Sequence, residues 1–290
     1  MSERQLAAFA HRHATQIPFD TSPRHLAGPG DARHVTHGLA AAGWNCTTDS
    51  LSPEIVLRSP DLRYSMQFDP ESATSAWWRL QAEPTRTERG WYAEFGELVP
   101  AEILGRLTDA LIAPTPTEHA DPFQALESAG WALESETTAH SPDGMCHVHR
   151  PTDEGVWRSS WRVETCQPGF ETPMGPRIWH AFVDESMPEH LVCAFAAALT
   201  DPAPLQRAMY DRTAHYSAVQ SRSRLTPEDV VAAHSTRLDA IRAQARAARS
   251  HPSHGPCRPP GRSPLIPTGP SPSPPTTPHT ASSSVTSTAT

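Results

Sequence analysis

The residues best placed to do chemistry are few. Cys146-His147-Val148-His149 is the strongest candidate for metal ligation. On a strand, side chains alternate between faces, so His147 and His149 share one face and Cys146 points to the other. A zinc site needs four positions, three or more of them from protein. His180, on a later predicted strand, is the candidate third ligand. Three scattered imidazoles fall short of that pattern, so the expectation is surface histidines, no metal and no cofactor. Asp153-Glu154 and Asp184-Glu185 read as solvated charge rather than an acid/base pair, because nothing around them supplies a shared apolar pocket. Arg237, Arg242, Arg246 and Arg249 line one predicted helix and are the candidate contacts for nucleic acid or a partner. No G-x-S-x-G, H-E-x-x-H, Walker loop or G-x-G-x-x-G occurs.

Composition narrows the chemistry further. All 24 basic side chains are Arg, so no Lys exists to form a Schiff base or clamp a phosphate. Arg-, Ala-, Pro- and His-rich usage also suits a high-GC coding sequence, which weakens any argument from the 16 His. The five Cys (Cys46, Cys146, Cys166, Cys193, Cys257) form no C-x-x-C pair and read as reduced thiols. The N-terminus lacks a signal-peptide layout, and the longest apolar run, 191–199, is too short for a membrane span. A soluble, cytoplasmic protein with no membrane partner is expected. Charge is uneven: residues 1–205 carry 14 Arg and 28 acids, whereas 206–250 carry 8 Arg and 4 acids. An acidic body therefore bears a basic C-terminal arm.

An internal repeat organises the body. Gly43-Trp44 recurs as Gly130-Trp131, Ser59-Pro60-Asp61 as Ser141-Pro142-Asp143, and Trp78-Arg79-Leu80 as Trp161-Arg162-Val163. Trp91, Pro100, Ala110-Leu111 and Pro114 recur 88 residues later as Trp179, Pro188, Ala198-Leu199 and Pro202. Each copy reads as an opening helix capped by Asp31 or Asp121 and ended by Gly43 or Gly130. Strands follow over 54–58, 63–69, 75–83 and 90–97, matched by 131–138, 145–150, 157–166 and the run at Trp179. The Ser-Pro-Asp triplets form the first turn. Ile103, Leu104, Leu107 and Leu111, or Leu191, Val192, Phe195 and Leu199, then make the apolar stripe of a closing helix. The fold class is α+β: two repeated modules, each a helix, a four-stranded antiparallel meander and a closing helix, followed by a basic helix and a disordered tail. Tryptophans at repeat-matched positions read as core rather than as a binding platform.

The segment Pro23-Arg24-His25-Leu26-Ala27-Gly28-Pro29-Gly30-Asp31, then Leu39-Ala40-Ala41-Ala42-Gly43-Trp44, then Trp91-Tyr92-Ala93-Glu94-Phe95 with Pro100, resembles an actinobacterial family. This is the domain of unknown function family 317, common in Streptomyces and typically in tandem. The resemblance covers about residues 20–205. It implies a fold and a lineage, not a reaction. Val99 and Met187 stand where it leads one to expect Thr before the helix-opening Pro, so the usual cap is missing in both copies.

The expected organisation is a flexible segment over 1–22, repeats over 23–115 and 120–205, a basic helical arm over 206–250, and a disordered tail over 251–290. The tail holds 11 Pro, 8 Ser and 7 Thr, too few apolar groups to offset chain entropy. Thr226-Pro227-Glu228-Asp229 starts the arm's helix, with a stripe of Val231, Leu238, Ile241 and Ala245 and His234 in line. That helix can dock on the acidic body, dimerise or bind DNA. The leading function is a non-catalytic adaptor that binds a protein partner through its tandem modules. The alternative is a DNA-associated accessory protein using the Arg-rich helix, with weak, sequence-independent contact; an enzyme of unrecognised type comes third. The sequence sets neither the partner nor the oligomeric state.

Overall fold

A computed structural model describes residues 3–47, 53–117, 121–150, 160–169 and 174–250. The repeat governs its architecture. The first copy runs α2 (Arg33–Ala41), β2 (Asn45–Thr47), β3 (Ile55–Arg58), β4 (Tyr64–Phe68), β5 (Ala76–Ala82), β6 (Trp91–Gly96) and α3 (Ala101–Ile112). The second runs α4 (Pro122–Ser128), β7 (Ala132–Ser135), β8 (Thr138–His140), β9 (Cys146–His149), β10 (Ser160–Pro168), β11 (Met174–Asp184) and α5 (Glu189–Thr200). Each meander has five strands rather than the four expected. In the first copy the extra strand is β2, short and exposed, with no alternating apolar pattern to mark it; in the second, the strand expected over 131–138 is split into a hairpin of β7 and β8.

Register repeats along with sequence. Leu57 faces Met66 and Met66 faces Leu80, as Ala139 faces Val148 and Val148 faces Val163. Trp78 faces Phe95, as Trp161 faces Val183. The two meanders then join edge to edge through β6 and β11 into one ten-stranded antiparallel sheet. Ala93 pairs with Val183 and Phe95 with Ala181, about a centre at Glu94 and Phe182. Since 93, 94 and 95 correspond to 181, 182 and 183, the junction is self-complementary, as across a two-fold axis.

One sheet face is covered by α2, α3, α5 and α4, and the core fills that layer. Trp78, Leu80, Ala93, Phe95, Ala181, Leu104 and Leu107 are almost wholly inaccessible there, and Phe95 lies 5.6 Å from Phe195 across the two-fold. Trp91 and Trp179 are both buried. Pro100 and Pro188 precede their helices as N-caps without a side-chain cap, which fits Val99 and Met187 in place of Thr. Asp121 caps α4 by accepting from Phe123 N. Asp31 sits one residue ahead of the α2 N-cap and accepts from Arg33 N.

The segment 1–22, expected to be flexible, instead carries α1 (Glu3–Ala14) and β1 (Pro18–Ser22). β1 is the centre of a three-stranded sheet between β12 (Leu205–Ala208) and β13 (Val219–Arg222). These strands are too short for period-2 alternation to register. Between β1 and α2, residues 23–30 form a loop that crosses onto the second repeat. There His25 O accepts from Trp179 Nε1 at 2.7 Å, and His25 Nε2 meets Asp143 Oδ2 at 2.8 Å. The loop closes through Gly28 at φ +82°, where an added Cβ would lie 2.1 Å from Arg212 O, so only glycine fits.

The basic arm is α6 (Pro227–Ser250), started by a reciprocal cap between Thr226 and Asp229. It docks on the body: Leu238, Ile241 and His234 are buried against α1 and α2. The disordered tail expected over 251–290 lies outside the described residues, as does Asp153-Glu154.

Candidate functional site

Two features stand out, on opposite sides of the helical layer. The first is a half-open cavity of about 650 Å³ beneath α6, within the range of small-molecule sites. α1 contributes Arg12 and His13, α2 His34, α3 Glu102, Arg106 and Asp109, and α6 His234, Arg237 and Ile241. At its base four imidazoles gather around Phe9. Phe9 stacks on His234 at 3.9 Å and lies 4.2 Å from His13, and His37 Nδ1 meets His234 Nε2 at 3.2 Å. Sequence reading assigned these histidines to coding bias. Only His234, in line with the α6 stripe, carried a visible signal.

Their carboxylate partners are locked. Burial alone would raise Asp31, but His13, 3.4 Å away, and the hydrogen bonds from Arg33 outweigh it and hold the group far below the usual range. Burial would likewise raise Glu102, but Arg207 and His34 reverse it; Arg207 donates to both carboxylate oxygens, at 2.6 and 3.0 Å. Burial lowers His234 to about 3, with His34, His37 and Arg237 adding to it. Burial, then Arg33, lowers His37 to about 4, and burial also lowers His34. His34, His37 and His234 are therefore neutral at pH 7. Among the described lining residues there is no Ser, Thr, Cys, Tyr or Lys to serve as a nucleophile. Burial also pushes up the Cys146 and Cys166 thiols, and Cys193 to about 11, which disfavours the thiolate form at neutral pH.

The neutral imidazoles set a pH dependence. Their folded values lie below the unfolded value near 6.5, so the unfolded chain takes protons first as pH falls. The stability they allow is complete above about pH 6.5 and is lost from there down toward about 4 for His37 and about 3 for His234. At pH 5 the expected loss is about 1–2 kcal/mol for each of these two groups. Urea midpoints at pH 7.5 and 5.0 check this, and a His234→Phe chain should show a shallower slope. The Asp31 and Glu102 contributions fall away only at more acid pH. Equal midpoints at both values would rule the cluster out as the source.

The second feature is the face of the ten-stranded sheet away from the helices. No described helix covers it. Two rows of side chains cross it. One runs Gln67, Arg79, Glu94, Phe182, Arg162, His149, and the next His180, Glu164, His147, His140. Arg162 and Arg177 lie over the Phe182 ring at 5.4 and 5.6 Å, and both pair with Glu164. Tyr92 is exposed, and its hydroxyl donates to Glu94, which also faces His180 Nε2 at 3.4 Å.

This geometry places the candidate metal ligands apart. Glu164 stands between His180 and His147 in the register, two strand spacings or about 10 Å. His149 Nδ1 is taken by Thr138. Among the described residues no group of three ligating side chains converges. The candidate arginines also separate. Arg237 is turned inward, with Nε and Nη2 on the Asp109 carboxylate at 2.7 and 2.6 Å and further bonds to His34 O and Gly105 O. This corrects its reading as a free contact residue. Arg242 pairs with Asp239, and Arg246 donates to Arg242 O. Arg249's side chain lies outside the described residues.

Fold and surface together define a tandem α+β repeat protein whose two copies share one sheet. The family model for SPDY, a domain of unknown function (DUF317), matches twice, at residues 58–117 and 140–205. The chain thus carries two matches to this domain, one in each repeat, consistent with a tandem DUF317 protein. Both matches begin at the Ser-Pro-Asp turn and end past the closing helix, at equivalent positions of the two copies. No curated protein and no solved structure matches. No described helix is long and apolar enough to cross a membrane.

Proposed function

We propose that the protein is a cytoplasmic, non-catalytic interaction protein that binds a protein partner through the open face of its shared sheet. The observation that carries this reading is that face, continuous across both copies. It sets exposed Tyr92 and half-buried Phe182 among Arg79, Arg162 and Arg177. Glu94, Glu164 and Asp184 on the same face balance those three arginines, and Arg162 and Arg177 both pair with Glu164. Aromatic and Arg side chains are the commonest anchors of protein interfaces, and this face presents both. The DNA-binding alternative is less well supported, because Arg237 is committed to Asp109 and Arg242 to Asp239.

Affinity capture with the intact chain, compared with a Tyr92→Ser/Phe182→Ser chain, tests the reading. At least one protein partner should be held by the first and lost about tenfold by the second. It should be retained by an Arg242→Gln/Arg246→Gln chain. A captured set unchanged by the sheet-face substitutions, or duplex DNA binding lost with the two arginines, would overturn it.

A further inference from the structure

The two-fold relation between the repeats creates two equivalent grooves, and the described residues fill only one. At the first, the wall from repeat two holds Trp179 and Asp143, and the wall from repeat one holds the start of α3. Residues 23–30 lie in it. His25 supplies its carbonyl to Trp179 Nε1 and its imidazole to Asp143, and Pro29 O accepts from Ala101 N at the head of α3.

The second groove exchanges the roles. Trp91 replaces Trp179, Asp61 replaces Asp143, and Pro188 at the head of α5 replaces Pro100. Here no described segment is seated, and a cavity of about 510 Å³ remains, lined by Arg63, Glu88, Trp91, Glu185 and Pro188. Trp91 is 4 % exposed, yet its Nε1 donor has no partner among the described residues. Arg63 Nε, also buried, is likewise unpartnered. Asp61 is held as Asp143 is, by the serine hydroxyl and backbone N–H of its own turn, Ser59 and Arg63. It lacks only the imidazole. A buried donor left unpaired costs free energy, and the equivalent donor on the other side is satisfied by a peptide carbonyl.

We infer that the Trp91 groove is a peptide-binding site for an extended segment of a partner protein carrying a histidine. That histidine places its carbonyl on Trp91 Nε1 and its imidazole on Asp61, as His25 does at Trp179 and Asp143. The cavity's own charges balance, Glu88 and Glu185 against Arg63 and Arg89, so the imidazole's partner is Asp61, as Asp143 is for His25. This inference rests on the interaction-protein reading and adds a second, separate contact to it.

The probe is a synthetic peptide with the sequence of residues 20–30, titrated into the 15N-labelled full chain. The indole N–H signals are assigned through Trp91→Phe and Trp179→Phe chains. The Trp91 signal should move saturably with one peptide per chain, and the Trp179 signal should stay. Binding should weaken at least tenfold with Asp61→Asn, with Trp91→Phe, and with the peptide's histidine changed to alanine. Amide spectra of the variants confirm that they fold. No movement of the Trp91 signal at millimolar peptide, or movement of Trp179 instead, would overturn the assignment. If removing residues 251–290 alone shifts the Trp91 signal, the occupant is the chain's own C-terminal segment and the partner assignment fails. Capture through Tyr92 and Phe182 is read separately, so either result can fail without the other.

Discussion

Replacing Trp179 by alanine is expected to destabilise the fold by about 3–5 kcal/mol, the range for removing a large buried aromatic. The ring is 2 % exposed and packs at the sheet junction. Its Nε1 also donates to His25 O, so the substitution strips a buried carbonyl of its partner as well as leaving a cavity. Trp179→Phe separates these effects. It keeps much of the packing, loses the donor, and should cost about 1–3 kcal/mol, mostly for the orphaned carbonyl. Urea unfolding monitored by circular dichroism reads both. Because the His25 loop bridges the first repeat to the second, amide exchange in residues 23–30 should accelerate in both variants. A Trp179→Ala chain with an unchanged midpoint would place the ring outside the core.

Arg207→Ala should be of similar size. The Arg207 side chain is 1 % exposed. It serves Glu102 with two nitrogens and donates to Ala27 O, Gly28 O and Gln206 O. Removing one member of a buried ion pair leaves the other charged and uncompensated, a loss of about 3–5 kcal/mol. Glu102→Gln in the same chain should recover part of it, since the residual charge disappears. Lysine should not substitute, because a point charge cannot serve both carboxylate oxygens and three carbonyls from one fixed fork. A loss below about 1 kcal/mol for Arg207→Ala would mean that Glu102 finds another cation, and His34, 3.7 Å away, is the one in reach.

The sequence displayed what repetition makes redundant. Trp78 and Trp161, Trp91 and Trp179, and the Ser-Pro-Asp turns located the meanders and their registers, because a matched spacing fixes pairing even when each strand alone is ambiguous. What it hid falls outside the repeat or spans long separations. β1, β12 and β13 are four or five residues each, too short for a pattern to stand out from its flanks. Arg237 looked solvent-facing beside Leu238, and only the position of Asp109 on α3 shows why it turns inward. The join of β6 to β11 was invisible because Tyr92, Glu94, His180 and Phe182 are polar or mixed on the open face. Nothing in an alternating strand names its neighbour. The orphaned Trp91 donor was hidden for the opposite reason. Sequence symmetry makes it look identical to Trp179, and only the one-sided course of residues 23–30 tells them apart.

The three-stranded sheet has a consequence for the order in which the molecule can be completed. β1 pairs Thr21 with Leu205 and Phe19 with Arg222, so its neighbours on both sides come from the far end of the described chain. Closing loops of roughly 190 residues rather than ten adds only about 2–3 kcal/mol of chain entropy, a modest equilibrium term. Its effect on timing is larger, because non-local pairings form late and slowly. During synthesis β1 must wait, unpaired on both edges, until residues 205–208 and then 219–222 have left the ribosome. A strand made early is thus among the last to be secured, and a chain interrupted anywhere before residue 205 leaves both flanks of β1 open.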